Sequence, residues 1–115
     1  MTTTIGIIGL GQIGASVGLA LKSKIGSERV LGHDRDGDVA RVAESMGAVD
    51  ATASLRDVVR DAQVVFLCLP LAEMRETVSR VGPALRENAV VLETAPIISP
   101  SGKEWAECRK SELRG

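Results

Sequence analysis

Ile5-Gly6-Ile7-Ile8-Gly9-Leu10-Gly11-Gln12-Ile13-Gly14 is the stretch that decides how this chain folds. Thr4 to Gly9 is apolar without alternation, as in a strand buried on both faces, and it runs straight into an amphipathic segment from about Gln12 to Lys24. Gly9, Gly11 and Gly14 therefore fall on a strand-to-helix turn, with Leu10, Gln12 and Ile13 supplying the backbone between and after them. Each glycine has its own task. Gly9 permits the tight turn, Gly11 lets the backbone approach a phosphate with no Cβ in the way, and Gly14 lets the new helix lie close on the strand. The start of the helix adds free N–H groups and a positive dipole end. The turn is suited to a pyrophosphate, hence to a dinucleotide.

Outward from that turn, strands and helices alternate. The helix from Gln12 places Ile13, Val17, Ala20 and Leu21 on one stripe and Gly14 and Gly18 on the next. A mid-helix glycine costs about 1 kcal/mol relative to alanine, so close contact with a sheet is needed to justify both. Arg29 to Asp34 reads as a second strand ending on an acid. Asp36 then caps a helix whose apolar positions are Val39, Val42, Ala43 and Met46, with Gly47 as its stop. Ala48 to Ala53 is a short extended piece, and Ser54 caps a brief helix carrying Leu55, Val58 and Val59. Gln63 to Leu69 is a fourth strand of the fully buried kind, stopped by Pro70. Leu71, Met74, Val78, Val81 and Leu85 recur at helical spacing, with Gly82-Pro83 as a break. Ala89 to Glu93 is a fifth strand, and Ser99-Pro100 opens a last helix to about Glu112. This alternation implies right-handed crossovers and a parallel sheet covered on both faces. The expected fold is α/β, a doubly wound parallel sheet of the Rossmann type, as one domain over residues 1–115.

Composition narrows the function. At 115 residues and 44% apolar, the chain buries one modest core. Its 14 basic and 15 acidic side chains are mixed along its length, leaving no cationic face for a phosphate backbone, so nucleic acid is not expected as a partner. The longest apolar runs are too short to span a bilayer, and Met1 to Thr4 has no basic leader, so a soluble cytoplasmic protein is expected. Cys68 and Cys108 have no CxxC spacing and no histidine beside them, so neither a disulfide framework nor a metal site is expected.

The candidate site gathers at the carboxyl ends of the strands, where ligands of open α/β sheets bind. Asp34, twenty residues after Gly14, is placed to accept hydrogen bonds from the adenosine ribose hydroxyls. A carboxylate there repels a 2′-phosphate and favours NAD. Arg35, the next residue, is able to pair with that phosphate and keeps NADP open. Leu69-Pro70-Leu71 is expected to line the nucleotide cleft, and Thr94, after the fifth strand, to approach the nicotinamide ribose. His33 is read as a packing or surface residue, and Glu73, Arg75, Glu76 and Arg80 as an exposed helix face. No residue is placed as a general acid or base for hydride transfer, so no catalytic residue is assigned.

These stretches resemble a known family. IGIIGLGQIGASVGLALK, VLGHDRD, the Ala43 to Thr52 segment, DAQVVFLCLPL and VVLETAP look like the nucleotide-binding half of prephenate and arogenate dehydrogenases, over about Ile5 to Lys110. The individual motifs are shared with other 6-phosphogluconate-dehydrogenase-like domains. The resemblance implies oxidative decarboxylation of prephenate or arogenate in tyrosine biosynthesis, with NAD or NADP taking the hydride. It implies that Gly9 to Gly14 are the phosphate loop, Asp34 and Arg35 the ribose-recognising positions, and Leu69 to Leu71 the cleft-lining turn. Where family members commonly carry an Asp-x-x-Ser-x-Lys type segment after the fifth strand, this chain has Glu93-Thr94-Ala95-Pro96-Ile97-Ile98. The family's catalytic histidine and its helical, dimer-forming domain would lie beyond Gly115, so the small-molecule substrate and a homodimer are expected of a longer parent protein. The alternatives are the cofactor domain of a related reductase, acting on pyrroline carboxylate or a deazaflavin, and a stand-alone module that senses NAD(H).

Overall fold

A computed structural model describes residues 3–24 and 28–94. Five parallel strands form one sheet in the order β3-β2-β1-β4-β5. They are β1 Thr4–Ile8, β2 Arg29–His33, β3 Ala51–Thr52, β4 Val64–Leu67 and β5 Val90–Glu93. The helices between them are α1 Gln12–Lys24, α2 Gly37–Ser45, α3 Leu55–Asp61 and α4 Leu71–Val81. The doubly wound arrangement expected from the alternation is the one observed. The anticipated final helix from Ser99 lies outside the described residues.

Local chemistry explains where the elements begin and end. Asp36 caps α2 by accepting from the Asp38 N–H, and Ser54 caps α3 by accepting from the Asp57 N–H. Gly47 takes a φ of +80°, and its N–H donates to Glu44 O, closing the end of α2. Gly82–Ala84 tightens into a 3-10 turn where Gly82-Pro83 interrupts helical propagation. The third strand is shorter than the extended stretch anticipated over Ala48 to Ala53, because only Leu31 and Gly32 of β2 pair with it.

Two apolar clusters sandwich the sheet. One joins Ile8, Leu31, Val65 and Leu67 to Val58 and Val59 of α3 and to Met74, Val78 and Val81 of α4. The other joins Ile5, Ile7 and Val30 to Ala15 of α1 and to Ala40 and Ala43 of α2. The buried face of α1 departs from the apolar stripe read in the sequence. Gly14, Ala15 and Gly18 face the sheet, whereas Ile13 is 58% exposed and Ala20 is exposed. A methyl group at Gly18 would overlap the Ala48 carbonyl, so the small residues set the distance of the helix and the larger ones are turned outward. In α2 the alanines are likewise buried, while Val42 and, just after the helix, Met46 are exposed. The fourth strand also differs from the expected full burial: Val65 and Leu67 are buried, while Val64 and Phe66 are half-buried beside the exposed Val90 and Leu92 of β5.

Candidate functional site

Strand order reverses direction between β1 and β4, and a cleft of about 230 Å³ opens there at the carboxyl edge of the sheet. This is the switch point at which open α/β sheets hold ligands. The glycine turn forms its floor. Gly9 N–H donates to His33 O at 2.8 Å, and Leu10 N–H donates to Asp34 Oδ2 at 2.8 Å, which ties the turn to the end of β2. On the other side Cys68 N–H donates to Ile8 O at 2.8 Å. The turn is thus held from both neighbouring strands before any ligand arrives.

Sterics separate the three glycines. Gly9 has a φ of +94°, and a Cβ on it would collide with the Cys68 carbonyl oxygen. A Cβ on Gly14 would overlap the Gly9 carbonyl oxygen. Both are therefore required by the fold. Gly11 has open space where its Cβ would stand, and its backbone is not in the left-handed region. Nothing in the protein demands glycine at position 11, which leaves the backbone there open to close approach. The first N–H groups of α1, which begins at Gln12, have no partner within the helix, and Gly11, directly before them, lines the cleft. Together these features fit a diphosphate.

Of the residues expected to form the site, Gly9, Gly11, Asp34, Arg35, Leu69 and Pro70 line the cleft. The others stand around it. Leu10 buries its side chain and contributes its N–H to Asp34. Gln12 and Ile13 open α1 with exposed side chains, and Gly14 lies under Gly9. Leu71 is the exposed first residue of α4. Thr94 follows β5, where its N–H and hydroxyl both donate to Leu67 O, at 3.1 and 3.2 Å. Asp34 uses both carboxylate oxygens: Oδ1 accepts from Asp36 N–H at 2.8 Å while Oδ2 holds Leu10. Each oxygen keeps further lone-pair capacity for a ribose hydroxyl.

The cleft also includes residues that sequence reading had placed elsewhere. Glu73, Glu76 and Arg80 line it with Thr77; Glu76 and Arg80 are exposed, as expected of a solvated helix face, and of the three charged residues only Glu73 is half-buried, so this face of α4 is also the open wall of the cleft. Their 73, 76/77, 80 spacing after the strand-ending Pro70 is the signal that identifies that wall. Glu73 Oε1 lies 2.5 Å from Arg35 Nη2. His33 is half-buried at the cleft, its Nδ1 donating to Ala53 O at 2.9 Å. Burial pushes the Cys68 thiol up, with the Thr94 hydrogen bond offsetting part of the effect. Cys68 therefore lines the site as a neutral thiol at physiological pH. Among the described residues no cluster of three metal-ligating side chains occurs, and no helix is long and apolar enough to cross a membrane.

Fold and site define a dinucleotide-binding domain of the Rossmann type. Residues 4–96 match the family described as NADP oxidoreductase, coenzyme F420-dependent, and the chain belongs to that family. It is 32% identical over 94 residues to the cyclohexadienyl dehydrogenase of Zymomonas mobilis, a match covering 81% of this chain and 32% of that protein. The crystal structure of Synechocystis arogenate dehydrogenase superposes with a TM-score of 0.79 at 28% identity, covering 90% of this chain and 38% of that one. Prephenate dehydrogenase from A. aeolicus, solved with hydroxyphenyl propionate and NAD+, shares the fold with a TM-score of 0.84 at 20% identity, over 94% of this chain and 38% of that one. The chain is thus an NAD(P)-binding domain homologous to that of prephenate and arogenate dehydrogenases, and it spans about a third of the length of these relatives.

Proposed function

We propose that this chain binds NAD(H) as the cofactor domain of a prephenate- or arogenate-dehydrogenase-like oxidoreductase. The observation that carries the reading is Gly11: it is the one glycine of the turn with no steric reason to be glycine, and it stands in the cleft between two glycines that do have one. A bound nicotinamide dinucleotide supplies the hydride acceptor, and the chain's own residues do the binding and orienting. The Gly9 to Gly14 amides and the start of α1 receive the diphosphate, and Asp34 accepts from the adenosine ribose hydroxyls. Leu69 and Pro70 exclude water from one wall of the cleft. Leu71 and Thr94 flank the path toward the nicotinamide end.

In this reading residues 1–115 act as one dinucleotide-binding unit. The cyclohexadienyl substrate is the business of the whole protein, taken between this unit and a helical domain that also pairs two subunits, in the cytoplasm where the dinucleotide pool is held. Calorimetric titration with NAD, NADP and their reduced forms tests it. Saturable 1:1 binding of NADH, lost in Gly11→Val while the fold is retained, is the expected result; a folded domain that binds no nicotinamide dinucleotide overturns it.

The family's description favours a second reading, in which hydride passes between NADP(H) and a deazaflavin. Tighter binding of NADPH than of NADH in the same titration would support that reading over the first.

A further inference from the structure

Arg35 and Glu73 stand on opposite walls of the cleft, one just after β2 and the other in the first turn of α4. Their side chains meet, with Nη2 of Arg35 at 2.5 Å from Oε1 of Glu73. The arginine is 83% exposed and the glutamate 26%. Glu73 Oε1 is itself out of solvent and accepts no directed hydrogen bond among the described residues, so the arginine's charge is what compensates it. The contact is unequal in solvation: the carboxylate oxygen is shielded from water, and the guanidinium is exposed to it.

That arrangement bears on which dinucleotide the cleft takes. The adenosine ribose, if its hydroxyls are held by Asp34, presents its 2′ position toward the neighbouring residue 35. A 2′-phosphate there needs a free guanidinium for paired N–H donation. Glu73 occupies that guanidinium, and it adds its own negative charge to that of Asp34 on the same side of the cleft. Glu76 lies one turn further along the wall and adds another carboxylate, while Arg80 lies two turns along.

We infer that Glu73 is a specificity-determining residue of the dinucleotide site: by holding Arg35 away from the 2′ position, it makes the cleft select NAD(H) over NADP(H). The inference rests on the proposed dinucleotide function and goes beyond it, because it assigns the choice between the two cofactors to a helix α4 carboxylate and not to Asp34 alone. Glu73 touches Arg35 and not the reacting atoms, so it acts as a positioning residue.

The test is a double-mutant cycle on the dissociation constants of NADH and NADPH, with Glu73→Gln, Arg35→Gln and the pair, each checked for folding by circular dichroism. Glu73→Gln should tighten NADPH by about tenfold, equivalent to about 1.4 kcal/mol, and change NADH by less than about twofold, within the usual scatter of context effects. With Arg35→Gln in place, the same Glu73 substitution should leave NADPH unchanged apart from the loss of one negative charge, which the Glu76→Gln variant calibrates. Adenosine 2′,5′-bisphosphate and 5′-AMP, used as competing ligands, should reproduce the difference without the nicotinamide half. If Glu73→Gln leaves the NADPH-to-NADH ratio unchanged while NADH binds normally, the inference fails and the dinucleotide function stands. An equal NADPH gain in the presence and absence of Arg35 also overturns it, as a general charge effect. If the unmodified chain binds neither nucleotide, both fall together.

Discussion

Leu10 N–H donates to Asp34 Oδ2 at 2.8 Å, so the residue proposed to read the ribose also holds the turn proposed to cradle the phosphates. The bond crosses from the end of β2 to the middle of the glycine turn, and Oδ1 of the same carboxylate fixes Asp36 N–H at 2.8 Å. One side chain thereby sets the relative position of the glycine turn, the end of β2 and the start of α2.

Asp34→Ala should therefore have two separable effects. Loss of the acceptor leaves the partly buried Leu10 N–H unsatisfied, which costs about 1–3 kcal/mol of stability, read by urea denaturation. Loss of the carboxylate should also weaken NAD more than NADP, because only NAD offers two ribose hydroxyls without a repelled phosphate. Equal weakening of the two dinucleotides would leave Asp34 a structural clamp only.

Cys68 offers a labelling test of the cleft. Its thiol is pushed up by burial, more than the Thr94 hydrogen bond lowers it, so the reactive thiolate is scarce at neutral pH. Alkylation by iodoacetamide, followed peptide by peptide in a mass spectrometer, should be slower at Cys68 than in an unstructured peptide. Saturating NADH should slow it further, because Cys68 lines the cleft. Labelling of Cys68 at the same rate with and without NADH would place the nucleotide elsewhere.

Acid sensitivity has an identifiable contributor at Asp50. Partial burial opposes ionisation there, but the Lys22 hydrogen bond, the Val30 N–H and the charges of Lys22 and Arg29 outweigh it, so the folded carboxyl lies below its ordinary value. A depressed folded pKa means stability that is present above the unfolded value, about 3.9, and lost as pH falls through the folded one. Asp50→Asn should remove that increment, so the stabilities of variant and parent converge as pH is lowered below about 4. The Lys22–Asp50 pair is partly exposed and salt-screened, so its share at neutral pH is at most about 1 kcal/mol. Unchanged divergence at pH 3 would remove Asp50 from the linkage.

What the sequence reveals, and what it hides, follows the range of the interactions involved. Asp36, Gly47 and Ser54 act on backbone groups two or three residues away, so their caps and stops are legible from local spacing. Parallel strands and the glycine turn are legible for the same reason, since their signals are contiguous. The buried face of α1 is not, because hydropathy favours Ile13 and Val17 over Gly14 and Gly18, whereas the sheet selects whatever permits close approach. Burial of β4 depends on what covers each face, which its own residues do not encode. The role of Glu73 is hidden most deeply. Its partner Arg35 is 38 positions earlier in the chain, and only the parallel sheet order brings the two walls together.

The glycine turn provides the sharpest contrast between fold and function. Gly14→Ala would drive a methyl into the Gly9 carbonyl oxygen, a backbone atom that cannot step aside, so we expect destabilisation of about 3 kcal/mol or more, at the upper end of overpacking costs. Gly11→Ala meets no protein atom and requires no left-handed backbone, and it removes freedom from the unfolded chain. It should stabilise the free domain by about 0.4–1 kcal/mol while weakening NADH, and Gly11→Val should abolish binding in a protein that unfolds no earlier than the parent. Thermal unfolding and NADH titration of the three variants separate the two roles, because a packing-only turn predicts that stability falls at both positions and a phosphate-binding turn predicts opposite signs. Gly11→Val that binds NADH as tightly as the parent would leave position 11 without a ligand-facing role.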